Sequence, residues 1–193
     1  ITSLESIKGL KMRIPGVGGE VFKRAGGVPV NIPGGELYTA LQTGVIDATE
    51  WVGPYNDLAF GFQQIAKYYY FPGWHEPGSM LEFIINLDAW NELPTHLQSI
   101  VKTAAKAVNQ DLLDEYTAMN NQALRELIDV HNVQLKKLPD DVINEFRVIS
   151  KSVLDEIAEN DNQFKSIYES YLKFKSEVVS YHEISEDAYT KIR

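Results

Sequence analysis

The sequence predicts an α/β region followed by all-helical packing, and three observations carry that prediction. The first third is dense in Gly and Pro and alternates short apolar runs with short helical patterns. Gly disappears after Asn86, where helical periodicity takes over. One apolar stripe (Leu97, Val101, Ala104, Val108, Leu112, Tyr116, Met119, Ala123, Leu127 and His131) then recurs at helical spacing over about ten turns.

In chain order, Leu10–Ile14 reads as a strand, Gly19–Ala25 as a helix and Val28–Ile32 as a second strand, together a βαβ unit. Glu36–Thr43 is a helix with Leu37, Ala40 and Leu41 on one face, closed by Gly44 where a left-handed residue costs least. Val45–Trp51 follows as a strand ending in polar and aromatic groups. Pro54 opens a helix that runs to about Ala66, and the aromatic run Tyr68–Phe71 leads into the loop Pro72–Gly78. Met80–Leu87 is β-like. Thr95 and Gln98 form a capping box behind Pro94 and start the long helix, which outruns the roughly 8 to 20 residues usual in globular domains and reads as a spine. A second helix begins near Asp140 with Val142, Phe146, Ile149, Val153 and Ile157 on one face, and the polar cluster Glu159–Asn162 breaks it. Phe164, Ile167, Tyr168, Tyr171 and Leu172 start a third, and the tail beyond Lys173 is charged.

The chain has 193 residues, 44% of them hydrophobic, which is enough to bury a substantial core. A net charge of −9 and a pI near 4.9, with the 18 basic residues scattered, argue against a nucleic-acid partner. They do not exclude an anionic small ligand, because one arginine can hold a carboxylate bidentately whatever the global charge. With no cysteine, disulfides, thiolate metal sites and cysteine nucleophiles are excluded, while the compartment stays open. No apolar run approaches the roughly 18 residues needed to span a bilayer.

Arg13 lies in an otherwise apolar strand, where an unpaired guanidinium is expensive to bury. It faces an anion or the cleft edge, or else it is an ordinary strand-edge arginine in solvent. Gly16, Gly18 and Gly19 sit between a strand and a helix, but Asn31 and Ile32 stand where a dinucleotide fold places an acidic residue, and the Walker lysine is missing. Glu50 and Glu76 could hold a hard cation, act as a general acid and base, or simply be solvated. His75 and His96 have no metal-ligand spacing to another histidine.

The segments Gly9–Gly16, Gly34–Trp51 and Tyr68–Gly78, taken together, resemble the DctP family of TRAP-transporter solute receptors, and within it the subgroup that binds 2-oxo acids and lactate with a metal ion. The resemblance runs from about Gly9 to Trp90, and the long helix after Pro94 agrees with the family's spine. It implies a lobe of periplasmic binding protein type and a receptor rather than an enzyme. Arg13 would clamp the ligand carboxylate, with Glu50 and Trp51 beside the ligand. Glu50, the Trp51 main-chain carbonyl and Glu76 would hold a calcium or sodium ion. The segments expected are a second α/β lobe over 1–53, a crossing segment over 54–78, a return strand and spine helix over 79–135, and C-terminal helices over 136–193. A first lobe, supplying further ligand contacts, is expected to complete the cleft. The implied function is periplasmic capture of a small 2-oxo or 2-hydroxy monocarboxylate and delivery to TRAP membrane subunits; the apolar stripe of the C-terminal helices either packs within the chain or forms a homodimer. A metal-assisted enzyme acting on a small organic acid is the alternative.

Overall fold

Three short parallel strands, β1 (Lys11–Arg13), β2 (Val28–Val30) and β3 (Ala48–Thr49), lie in the order β2-β1-β3. The structure, a computed structural model, describes residues 1–78 and 81–193. Helix α1 (Gly16–Arg24) connects β1 to β2, and Lys11 pairs with Val28 and Arg13 with Val30, which is the expected βαβ unit. α1 starts three residues before the expected Gly19. A Cβ on Gly19 would stand 2.6 Å from the Ile14 carbonyl oxygen, so this glycine lets the helix close on the strand rather than cradling a phosphate.

A short 3-10 turn (Gly34–Glu36) precedes α2 (Leu37–Gln42), which ends at Gly44 with φ +73° as expected. β3 is much shorter than the strand expected over Val45–Trp51. At Asp47 the backbone N–H still donates to the Lys11 carbonyl at 2.7 Å, but the Asp47 carboxylate takes the Lys11 N–H at 2.9 Å, so a side chain accepts what a strand carbonyl otherwise would. The helix expected from Pro54 to Ala66 is also divided. α3 covers only Pro54–Ala59, and Gly61 at φ +78° turns the chain into a 3-10 segment, Phe62–Gln64. Leu37, Ala40, Ile46 and Phe62 form a buried cluster, against which Trp51, Val30 and Ile32 pack.

β4 (Tyr68–Phe71) pairs in parallel with β5 (Gln134–Lys137), a strand with no sequence signature because all four of its residues are exposed. Of the β-like segment expected over Met80–Leu87, Met80 lies outside the described residues, 81–86 has no regular structure, and Leu87 opens α4 (Leu87–Glu92). Leu81, Phe83 and Ile84 are more than 70% exposed, with no neighbouring strand among the described residues to order them.

Helix α5 (Thr95–Asp129) is the expected spine, 35 residues long. Its start differs in detail. Pro94 is the cap and there is no side-chain capping bond; Gln98 Nε2 instead donates back to the carbonyls of Trp90 and Leu93, each at 3.0 Å. The apolar stripe is buried only near the C-terminal end, at Ala123 and Leu127, whereas Val108 is 64% exposed. His131 falls past the helix end, where Asn132 takes a left-handed φ of 57°.

Contacts divide the chain into two compact units, residues 1–143 and 144–193. α6 (Asp140–Asn160) begins in the first, with Val142 fully buried. Within the second, Asp161 caps α7 (Asn162–Ile184) by accepting from Gln163 and Phe164 N–H groups at 2.8 and 2.9 Å, so the polar cluster is a break between helices. The charged tail is helical as well, continuing in α7 and then α8 (Glu186–Ile192).

Candidate functional site

In parallel α/β sheets ligands are received outside the carboxyl ends of the strands, and Arg13, Glu50 and Trp51 all stand there. Arg13 closes the central strand β1, and Glu50 and Trp51 follow β3 directly. The Glu50 N–H donates to the Arg13 carbonyl at 3.2 Å, carrying the pairing one residue past the ladder.

The Arg13 side chain is only 14% exposed and that of Glu50 11%. Arg13 Nη1 donates to Glu50 Oε1, and Nε donates to the Ile32 carbonyl at 3.2 Å. Its guanidinium carbon lies 5.5 Å from the centroid of the Trp51 ring. A solvent-facing strand-edge arginine is therefore not what the fold makes of Arg13. The Trp51 ring rests on the core and on Phe60, with ring centroids 5.0 Å apart. A Cβ on Gly34 would meet the ring at 2.4 Å, so a glycine there is what gives the indole its place. Trp51 Nε1 is buried and has no hydrogen-bond partner among the described residues.

The loop after β4 brings the second group of side chains. His75 Nε2 lies 3.4 Å from Glu50 Oε2, and one donor atom from each of Glu50, His75 and Glu76 falls within a 4.8 Å cluster. Two carboxylates this close, one of them shielded from water, suit a hard cation that takes oxygen ligands. Thus the fold brings together Arg13, Glu50, Trp51 and Glu76, and adds His75. No spacing to another histidine marks His75 as a ligand; its adjacency to Glu76 between Pro72 and Pro77 is the one local signal the sequence carries.

A second feature had no sequence signal. Asp57, on α3, is the only buried charged residue among the described residues, and its Oδ2 accepts from the Tyr69 hydroxyl at 2.6 Å. Burial pushes the Asp57 carboxyl up to about 6, against the opposing pull of Tyr69 and the nearby Gly53 and Val52 N–H groups. Those N–H groups soften the shift without good bonding geometry, since Oδ1 has no hydrogen-bond partner among the described residues. Tyr69 is pushed up too, by burial and then by the neighbouring carboxylate.

A sequence model described as "Bacterial extracellular solute-binding protein, family 7" (DctP) matches residues 1–161. The chain belongs to the DctP family. Among DctP relatives, a monocarboxylate 2-oxoacid-binding periplasmic protein of Nostoc sp. is 41% identical over 189 residues, covering 98% of this chain. The chain spans about half of that relative's length, 52%. A TRAP periplasmic solute binding protein from Colwellia psychrerythraea with bound calcium and pyruvate superposes with a TM-score of 0.95 at 42% identity, over 100% of this chain and 59% of that one. One from Pseudoalteromonas atlantica with bound sodium and pyruvate gives 0.93 at 40% identity, over 99% and 58%. One from Bordetella bronchiseptica, a mixed-occupancy dimer with calcium and picolinate, gives 0.92 at 36% identity, over 100% and 57%. DctP proteins are solute-binding receptors, and among the described residues no helix of this chain is long and apolar enough to cross a membrane.

Proposed function

We propose that this chain is the carboxylate-clamping lobe, with spine and C-terminal helices, of a periplasmic receptor. The receptor captures a small 2-oxo or 2-hydroxy monocarboxylate as a metal complex and delivers it to the membrane subunits of a TRAP transporter. The observation that carries this is the convergence of one shielded arginine with a shielded carboxylate, Glu50, at the carboxyl ends of β1 and β3, with His75 and Glu76 beside it. The relatives supply the ligand class, pyruvate or picolinate together with calcium or sodium.

In this reading Glu50, Glu76 and the Trp51 main-chain carbonyl hold the cation, which neutralises the carboxylates and gives the ligand oxygens a seat. Arg13 clamps the ligand carboxylate, using donors beyond the two engaged by Glu50 and Ile32. The Trp51 ring walls the site and fixes the guanidinium by stacking. Closure with a first lobe then excludes water, and no bond is broken. Residues 1–53 form the clamp-bearing lobe, 54–78 cross towards the first lobe, 79–135 return through the spine, and 136–193 are the C-terminal helices.

The test is calorimetry of the full-length protein with pyruvate, before and after chelation. Chelation is expected to weaken binding by about two orders of magnitude, as loss of a charge-neutralising partner does for a buried anion; undiminished binding in chelator without sodium would remove the metal from the reading.

The homodimer through the C-terminal helices remains part of the proposal. On α7, Ile167, Tyr171, Phe174 and Tyr181 are each more than half exposed, an unpartnered apolar content that suits a second copy, and the Bordetella neighbour is a dimer. Ile167→Glu together with Tyr171→Glu is expected to yield monomers in sedimentation. Dimers that persist would place the interface elsewhere.

A further inference from the structure

The two groups of side chains at the site hang from different sheets. Glu50 and Trp51 leave the three-stranded sheet after β3, whereas His75 and Glu76 leave the two-stranded sheet after β4. Their relative placement therefore depends on whatever ties the segment after β3 to β4. α3 begins four residues after Glu50 and is fastened to two different elements. At its start, the Tyr55 N–H donates to Asn120 Oδ1 of α5 at 3.0 Å, and the Tyr55 hydroxyl donates to Glu115 at 3.1 Å. Further along, Asp57 takes the 2.6 Å bond from Tyr69 in the middle of β4. Tyr69 is bound in register, opposite Leu135 of β5, so a pull on its hydroxyl moves the strand.

We propose that the buried Asp57–Tyr69 hydrogen bond is a positioning device, which sets the loop bearing His75 and Glu76 at coordinating distance from Glu50 and Trp51. This rests on the receptor reading and extends it to two residues that touch neither ligand nor cation. The pair is poorly explained as a stabilising contact. A buried carboxylate with one oxygen unpartnered opposes folding, and breaches of this kind gather where a site needs exact geometry. Cation sites tolerate little displacement, and loss of an outer supporting bond typically weakens metal affinity by roughly 10- to 100-fold.

Calcium titration of the full-length protein without organic acid, followed by calorimetry, reads this directly. Tyr69→Phe and Asp57→Ala are each expected to weaken calcium by about tenfold or more, and the double variant no further than Asp57→Ala, because both remove one bond. Asp57→Asn, whose amide oxygen still accepts from Tyr69, is expected to stay within about threefold of the unaltered protein. Melting curves run beside each titration separate positioning from loss of fold, and Tyr69→Phe carries the test if Asp57→Ala does not fold. Unchanged calcium affinity in folded Tyr69→Phe would overturn the proposal. So would an Asp57→Asn loss equal to that of Asp57→Ala, which would assign the effect to charge. An unaltered protein that binds no cation would remove the metal from the receptor reading on which this proposal rests, an outcome distinct from both.

Discussion

Arg13→Ala is expected to weaken pyruvate binding by the full-length protein by roughly a hundredfold to a thousandfold, about 3–4 kcal/mol, the range for truncating one member of a shielded, hydrogen-bonded charge pair. Two losses combine. The ligand carboxylate loses its planar clamp, and Glu50, 11% exposed, loses the guanidinium that neutralises it. Arg13→Lys is expected to recover only part, because an ammonium cannot reproduce the fork that serves Ile32, Glu50 and a ligand at once. Calcium alone behaves differently. With the cation placed as proposed, Glu50 Oε1 would be shared between it and Arg13, so Arg13→Ala is expected to bind calcium in the absence of ligand at least as well as before. Calorimetry with and without pyruvate separates the two effects. An Arg13→Ala protein that keeps its pyruvate affinity would remove the clamp assignment.

Asp57→Asn is expected to stabilise the chain at pH 8 by about 2 kcal/mol, raising Tm by roughly 4–8 °C, and to leave stability at pH 4 nearly unchanged. The Asp57 carboxyl sits at about 6 in the fold against 3.8 in the open chain, and about two units correspond to about 3 kcal/mol, less what the amide costs to bury. Because the folded value is the higher one, folding takes up a proton. The stabilising state is complete below about pH 4 and is lost as pH rises through about 6. At pH 8 the ionised, buried carboxylate opposes the fold; asparagine cannot ionise and escapes this. Urea unfolding at pH 4, 6 and 8 checks it, and an Asp57→Asn protein with the same pH slope as the unaltered one would mean that Asp57 ionises elsewhere than in a dry site. Together with the calcium titration this gives one substitution opposite signatures, a firmer fold and an intact cation site, which Asp57→Ala should not share.

Much of the α/β region was legible because its signals are local. Leu10–Ile14 and Val28–Ile32 each announce a strand by their own composition, and the glycine-marked helix between them leaves a parallel pairing as the simple solution. The long helix was legible from one stripe, and the break at Asp161 from a residue type that caps helices. Arg13, Glu50, Trp51 and Glu76 were legible mainly through family resemblance, since no local rule distinguishes a cleft glutamate from a solvated one.

Sequence by itself determined the βαβ unit and the spine helix, because periodicity and turn chemistry act over a few neighbouring positions, and it singled out Arg13 as a charge inside an apolar strand. Only the tertiary structure decided the rest. β5, exposed along its length, becomes a strand because β4 offers it hydrogen bonds 66 residues earlier, as Tyr68 opposite Gln134 shows. His75 joins Glu50 across 25 positions, and Asp57 becomes buried and bonded to Tyr69 through the placing of α3 between α5 and β4. Proximity and desolvation belong to the folded chain, and no pattern of neighbouring residues encodes them singly.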